Sequence, residues 1–316
     1  MSQKKRGEVI GGFILQPMPH PLLTPDANPA YRAIRESYAK VRAALEELNP
    51  DLIVIYSTRW ASIIGHQIQS DPNPKWNVVD QNFHALGTIH YDFRVDQEFG
   101  ESWCDAAKSR GLTARCVNYH GFPVDTGSLV NIKLLNPDNR FPVSIVSCNV
   151  YADRAETIVL GKSARDAIEA SGKRVVTIAV TGLSSRQWTN WIDPADDRIN
   201  SPKDDDWNRK LLSILDDGRL EDVAQLARTF SAEANGDNRM KAIWWLAAVM
   251  GQHNAYDGVV YDYQPVWGTG AALVGLTPNP GKARDLEYDE DDVELYKGDR
   301  DVLSVTDDVA ENAEAM

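Results

Sequence analysis

The sequence predicts an α/β fold, with a central, largely parallel or mixed β-sheet flanked by helices on both faces. Two observations predict it. Short apolar runs with strand character recur at residues 9–15, 52–56, 143–148 and 175–180. Amphipathic helical stretches lie among them, and such alternation packs helices over a parallel sheet. A third observation sets the domain count. Neither an internal repeat nor a linker-like stretch precedes residue 280, so residues 1–280 read as a single domain.

Residues 9–15 form the first expected strand, and the proline-rich loop Gln16-Pro17-Met18-Pro19-His20-Pro21 follows it. Asn28-Pro29 then marks a helix start. An Asn side chain can cap the first free N–H groups, and a proline at the first helical position lacks only an N–H that would be unpaired anyway. Tyr31, Ile34, Tyr38, Val41, Leu45 and Leu48 follow at spacings of three and four, which makes one apolar stripe. The run 52–56 is the second strand, and it ends abruptly in Ser57-Thr58-Arg59-Trp60. Ligands of open α/β sheets gather beyond the carboxyl ends of strands, so a guanidinium at this place calls for a reason. Residues 154–170 read as a helix closed by Ser171-Gly172, between the strands at 143–148 and 175–180. Residues 204–250 are mostly helical, and 258–276 read as short strands around Gly268-Thr269-Gly270.

The chain has 316 residues, 43% of them hydrophobic, enough to bury a substantial core. Its formal net charge is −13 and no basic stripe is present, which argues against a nucleic-acid partner. Residues 281–316 hold 13 Asp/Glu against four Lys/Arg, giving −9 of that total. With few apolar groups to bury, they read as a disordered or loosely attached acidic tail. No run approaches the roughly 20 apolar residues of a membrane span, and 9–15 is too short for a signal peptide. Cys104, Cys116 and Cys148 are an odd count without CxxC spacing, so neither a disulfide framework nor a zinc ribbon is expected. The expectation is a soluble cytoplasmic protein with no membrane partner.

Several conspicuous stretches have plain structural readings. Residues 243–250, IWWLAAVM, are core at helical spacing rather than a stacking platform. Asp204-Asp205-Asp206 cannot converge on one metal, because adjacent helical residues point in different directions. After Ser201-Pro202 they favour a helix start. WGTGAALVG lacks the spacing of a phosphate-binding loop and reads as a bulged strand. His20, His66 and His120 sit in loops or near strand ends where chemistry is conceivable; His84, His90 and His253 have no suggestive neighbours, and no HxH, HxxxH or HExxH spacing occurs.

Six stretches, taken in order, resemble the class III extradiol ring-cleavage dioxygenases, and within them the aminophenol-cleaving group. They are GFILQPMP, VIYSTRW, VNYHGFPVDTGS, VTGLSS, IDPADDRI with DDDWNRKLL, and GTGAAL, running from about residue 8 to 276. The resemblance implies a family fold in which two histidines and a carboxylate hold Fe(II), leaving positions open for the aromatic substrate and O₂. A further histidine moves protons.

Carried onto this sequence, the first metal histidine corresponds to Met18, with His20 two residues on as the alternative. The second corresponds to Arg59, the carboxylate to Glu233, and the acid/base histidine to Ser185. Arg59 has no lone pair to offer a metal and stays protonated. A unit charge about 4 Å from another at an effective dielectric near 20 costs about 4 kcal/mol, and a dication roughly doubles that. The resemblance therefore implies no metal and no catalytic residue on this chain, with Fe(II) on a partner. Arg59 and Glu233 are expected to pair, the guanidinium standing where the cation stood.

The aminophenol enzymes combine a catalytic chain with a homologous chain lacking the ligands. The resemblance implies that this chain is the second kind, an alpha-type subunit supporting a catalytic beta subunit in an α2β2 heterotetramer that cleaves 2-aminophenol or a substituted relative. Two alternatives stay open: an active dioxygenase with a rearranged metal site using His20, and a stand-alone binding or scaffold protein derived from the fold.

Overall fold

A computed structural model describes residues 5–286 and 293–297. The strands are β1 (Glu8–Leu15), β2 (Leu52–Ser62), β3 (His66–Gln69), β4 (Lys75–Val79), β5 (Thr88–Asp92), β6 (Ala114–Val117), β7 (Val143–Asn149), β8 (Arg174–Val180), β9 (Tyr256–Val266) and β10 (Thr269–Pro278). The α-helices are α1 (His20–Leu23), α2 (Pro29–Leu48), α3 (Gln97–Ser109), α4 (Thr126–Leu135), α5 (Arg154–Ser171), α6 (Pro202–Asp216), α7 (Leu220–Ala234) and α8 (Lys241–Met250).

Eight strands form one sheet in the order β6-β3-β7-β2-β8-β1-β10-β9, and β4 and β5 form a separate antiparallel pair. The centre is parallel: β7 with β2, β2 with β8, and β8 with β1. One edge is the antiparallel hairpin β9–β10, which joins β1 antiparallel. The expected α/β fold with a mixed sheet is the one observed. The central strands are buried on both faces, so they read as continuous apolar runs rather than as alternation. On one face β2 contributes Leu52, Val54 and Tyr56 to a core with α3, α5 and α8, and Tyr56 stacks on Trp245 at 5.4 Å. On the other face Ile53 and Ile55 pack with α2 and α4.

Local signals act as their chemistry dictates. The Asn28 side chain accepts from the Ala30 N–H at 2.7 Å and starts α2, whose apolar stripe of Tyr31, Ile34, Tyr38, Val41 and Leu45 is buried. Gly172 closes α5 in the left-handed region, at φ 75°. The α8 stretch is core throughout. Two expectations are corrected. The stretch 258–276 is not a set of short strands but a long hairpin, β9 and β10, turning at Trp267 (φ 53°) and Gly268 (φ 79°). A two-residue turn with both φ positive matches strand twist, but a tryptophan in the first position hides it. And β2 continues past residue 56 to Ser62.

Most of the acidic tail lies outside the described residues. Within it, residues 293–297 lie against α3 and α5. Glu294 pairs with Lys162 at 2.7 Å and Arg110 at 3.0 Å, and the Tyr296 N–H donates to the Arg110 carbonyl.

Candidate functional site

Arg59 owes its position to an irregularity in β2. The pairing with β7 runs to Ser57↔Ser147 and resumes at Ala61↔Cys148, so Thr58, Arg59 and Trp60 bulge from the ladder. Bulges re-aim side chains and gather next to functional sites. Up to this point alternation holds: Thr58 follows Tyr56 toward one face, while Arg59 follows Ser57 toward α4 on the other. Trp60 then lines the same cleft as Arg59, an arrangement strict alternation forbids and the bulge allows.

The cleft has a volume of about 370 Å³ and lies between the loop after β1, the bulge of β2, residues 78–83, and residues 122–126 at the start of α4. Arg59 crosses its floor. A Cβ on Gly127 would sit 2.8 Å from the Arg59 Cγ, so only glycine lets the side chain pass over the first turn of α4. The Nη2 of Arg59 donates to the Sδ of buried Met18 at 3.3 Å. Among the described residues no carboxylate pairs with the guanidinium.

Asp125 caps α4 and braces the bulge. Its Oδ1 accepts from Ser57 Oγ at 2.7 Å and from the Ser128 N–H at 2.8 Å. Its Oδ2 is buried without a partner, and burial raises its carboxyl above the ordinary carboxylate range. Asp80, the other acidic residue in the lining, is occupied: Oδ2 accepts from Thr126 Oγ1 at 2.5 Å and Oδ1 from the N–H groups of Asn82 and Phe83. Trp60 and Phe122 form an aromatic wall, their ring centres 5.9 Å apart.

The expected site residues divide. Met18 and Arg59 do meet at the carboxyl ends of β1 and β2. Glu233 does not join them: it is half-exposed on α7 and pairs with Lys203 at 2.6 Å, so the expected Arg59–Glu233 pair is not formed. The chain leaves α7 through Asn235, which is left-handed, and then Gly236, at φ −55°, which keeps Glu233 on the outer side and brings Asp237 inward instead. Asp237 is buried, and its Oδ2 accepts from Thr58 Oγ1 at 2.8 Å, Thr181 Oγ1 at 3.1 Å and the Gly182 N–H at 2.9 Å. It faces Thr58 and not Arg59, as alternation along β2 requires. Sequence reasoning missed it; the signal available was the turn chemistry of Asn235-Gly236-Asp237-Asn238.

Ser185 is half-buried and donates to the Asn235 carbonyl at 2.8 Å, away from the cleft. His20 is buried among Tyr31, Phe83 and Trp267, with ring centres at 5.2, 4.5 and 5.5 Å. Burial lowers its pKa to about 4 against the opposing pull of Asp80, so the imidazole is neutral, and its Nδ1 is buried without a partner. His66 bonds Glu156 inside the core, and His120 is exposed. The three successive aspartates diverge: Asp204 pairs with Arg186, and Asp205 with Arg209 and the Tyr263 hydroxyl.

Comparison with known proteins adds family membership to this geometry. Residues 17–275 match the family model described as the catalytic LigB subunit of aromatic ring-opening dioxygenase. The chain belongs to the LigB family of class III extradiol dioxygenases. It is 30% identical over 268 residues to the 2-aminophenol 1,6-dioxygenase alpha subunit of a Pseudomonas species, covering 84% of this chain and 98% of that one. It is also 30% identical over 302 residues to the beta subunit of the enzyme of that name from a Pseudomonas species, covering 88% and 99%. The 3,4-dihydroxyphenylacetate 2,3-dioxygenase of Escherichia coli is 23% identical over 238 residues, 73% of this chain and 84% of that one. An uncharacterized Escherichia coli K12 protein shares the fold at a TM-score of 0.59 and 14% identity, covering 84% of this chain and 99% of that one.

Iron is the metal this family implies, and in this LigB-family chain the residues at the strand ends do not fit it. A guanidinium offers no lone pair, and it donates to the Met18 thioether, which would be the neighbouring donor. Asp237 and Glu233 both spend their carboxylates elsewhere. Among the described residues no group of three or more His, Cys, Asp or Glu side chains could hold a metal ion, and no helix is long and apolar enough to cross a membrane.

Proposed function

We propose that this chain is the metal-free, alpha-type subunit of an extradiol dioxygenase acting on 2-aminophenol or a ring-substituted aminophenol. It assembles with a homologous catalytic chain, as an α2β2 heterotetramer in the cytoplasm, and the Fe(II) and the acid/base histidine belong to that partner. Equal identity to an alpha and a beta subunit leaves the assignment to the residues themselves. The observation that carries it is the contact of Arg59 with Met18 at the two strand ends where ligands gather. A permanent cation there opposes a ferrous ion by several kcal/mol, and among the described residues no imidazole lines the cleft.

Expression of the full-length chain, alone and with a catalytic partner chain, tests this. The chain alone is expected to hold no stoichiometric iron and to leave 2-aminophenol uncleaved. The co-expressed pair is expected to elute as one complex with equal numbers of the two chains, and to consume O₂ with 2-aminophenol. Iron held stoichiometrically by the chain alone, with ring cleavage, overturns the reading in favour of an active enzyme. A chain that stays separate from its partner and leaves the partner's activity unchanged overturns it in favour of a stand-alone protein.

A further inference from the structure

Two of the three cysteines meet in the fold although no motif joins them in the sequence. Cys104 lies on α3, and Cys116 on β6 pairs with Ile68 of β3. The Cys116 Sγ donates to the Gly100 carbonyl at 3.7 Å, one turn before Cys104 on the same helix. A helical side chain leans over the turn N-terminal to its own Cα, so the Cys104 thiol points back toward that carbonyl. The two thiols are in hydrogen-bonding contact there. A Cβ on Gly100 would crowd the Gln69 carbonyl at 3.2 Å, so glycine lets α3 lie close to β3. Cys116 is half-buried and Cys104 is buried, so a small oxidant meets Cys116 first. Cys148, the third cysteine, is buried in β7 beside Tyr56.

We infer that Cys104 and Cys116 form a site of reversible oxidation, closed by hydrogen peroxide into an intrachain disulfide that staples α3 to the edge strand β6. The inference stands apart from the metal-free reading of the cleft and from the partner chain. Cys116 attacks one peroxide oxygen as its thiolate. The O–O bond breaks, the departing hydroxide takes up a proton to become water, and Cys116 is left as a sulfenic acid. The Cys104 sulfur then attacks the Cys116 sulfur, the S–O bond breaks, and hydroxide leaves with the Cys104 proton as a second water. Two thiols and one peroxide thus give one disulfide and two waters. The Lys108 ammonium, whose own pKa the Cys104 sulfur raises, lies beside this second nucleophile and attracts the negative charge that develops there. The first step is slow, because burial and then the Cys104 sulfur push the Cys116 thiol up to about 11. Such a site answers sustained oxidant rather than a brief pulse. The bridge encloses the turn after α3, where Arg110 pairs with Glu294 at 3.0 Å and its carbonyl accepts from the Tyr296 N–H, so oxidation also fixes the seat of residues 293–297.

The test incubates the full-length chain for hours with excess hydrogen peroxide, then alkylates it and maps its peptides by mass spectrometry without reductant. One linked pair of peptides carrying Cys104 and Cys116 is expected, lighter by two hydrogens, with Cys148 still alkylated and both thiols recovered by dithiothreitol. C104S is expected to remove the link and leave Cys116 as a sulfenic acid that dimedone traps, and C116S to leave Cys104 unreacted. The oxidised wild type should unfold at higher urea than the reduced form, and C116S should show no such shift. If C104S fails to fold, C116S and the wild type decide. The inference falls if both thiols survive in the wild type, if Cys148 reacts first, if the link joins two chains, or if Cys116 passes to sulfinic acid while Cys104 stays a free thiol. A link that leaves the urea midpoint unmoved overturns its role as a staple.

Discussion

The Nη2 of Arg59 lies 3.3 Å from the Sδ of Met18, joining the loop after β1 to the bulge of β2. A thioether is a weak acceptor, so this contact contributes little beyond packing. R59M should therefore change the unfolding free energy by less than about 1 kcal/mol, where breaking a true buried ion pair would cost about 3–5 kcal/mol. Urea unfolding at neutral pH reads the difference. A loss in the ion-pair range would mean that Arg59 has a carboxylate partner in solution.

Glu233 and Asp237 should differ sharply when mutated. The Lys203–Glu233 pair is solvent-exposed, so E233A is expected to cost less than about 1 kcal/mol. Asp237 Oδ2 holds together β2, β8 and the turn after α7 through three donors. D237N turns one acceptor into a donor facing donors, and about 2–4 kcal/mol of stability should be lost. Denaturant midpoints of the two variants under one condition settle the ranking.

His20 makes the chain sensitive to acid. Its pKa is lowered from 6.5 to about 4 by burial, so the unfolded chain binds this proton more readily than the folded one. The neutral ring's contribution is complete above pH 6.5 and is lost as the pH falls toward 4. The shift corresponds to about 3 kcal/mol across that window. H20F keeps an aromatic ring among Tyr31, Phe83 and Trp267 and cannot take a proton. The gap between wild type and H20F should therefore move in the variant's favour on acidification, as read by unfolding curves at several pH values.

Asp125 acts in the opposite sense. Its carboxyl is held above the ordinary range by burial, so the folded chain keeps this proton longer than the unfolded one. The associated stability is present in acid and is lost as the pH rises through the raised value. D125N is free of that loss. Relative to wild type it should gain stability as the pH rises above about 4, and a difference that shrinks on raising the pH would refute the assignment.

Much of this architecture is legible in the residues because the signals are local. Asn28-Pro29, the stripe on α2 and the four apolar runs each act through their own neighbours, and each forms the element expected of it. Arg59 and Met18 were also readable, since one lies near the carboxyl end of β2 and the other just past β1, and such ends gather on one side of a parallel sheet. What stayed hidden depends on contacts across the fold. The β9–β10 turn carries a tryptophan at a position that usually signals by glycine or asparagine. The inward carboxylate is Asp237 and not Glu233, because the exit from α7 turns through residues whose effect on direction no periodicity records. The bulge in β2 arises from its register against β7, nearly 90 residues later in the chain.

That bulge has an evolutionary corollary. Because the ladder skips Thr58, Arg59 and Trp60 and resumes at Ala61, the Arg59 side chain carries little of the burden of holding β2 to β7. An imidazole there can be traded for a guanidinium while the neighbouring strands stay in place. A side chain at this position is thereby free to vary in chemistry while the sheet that carries it is inherited intact.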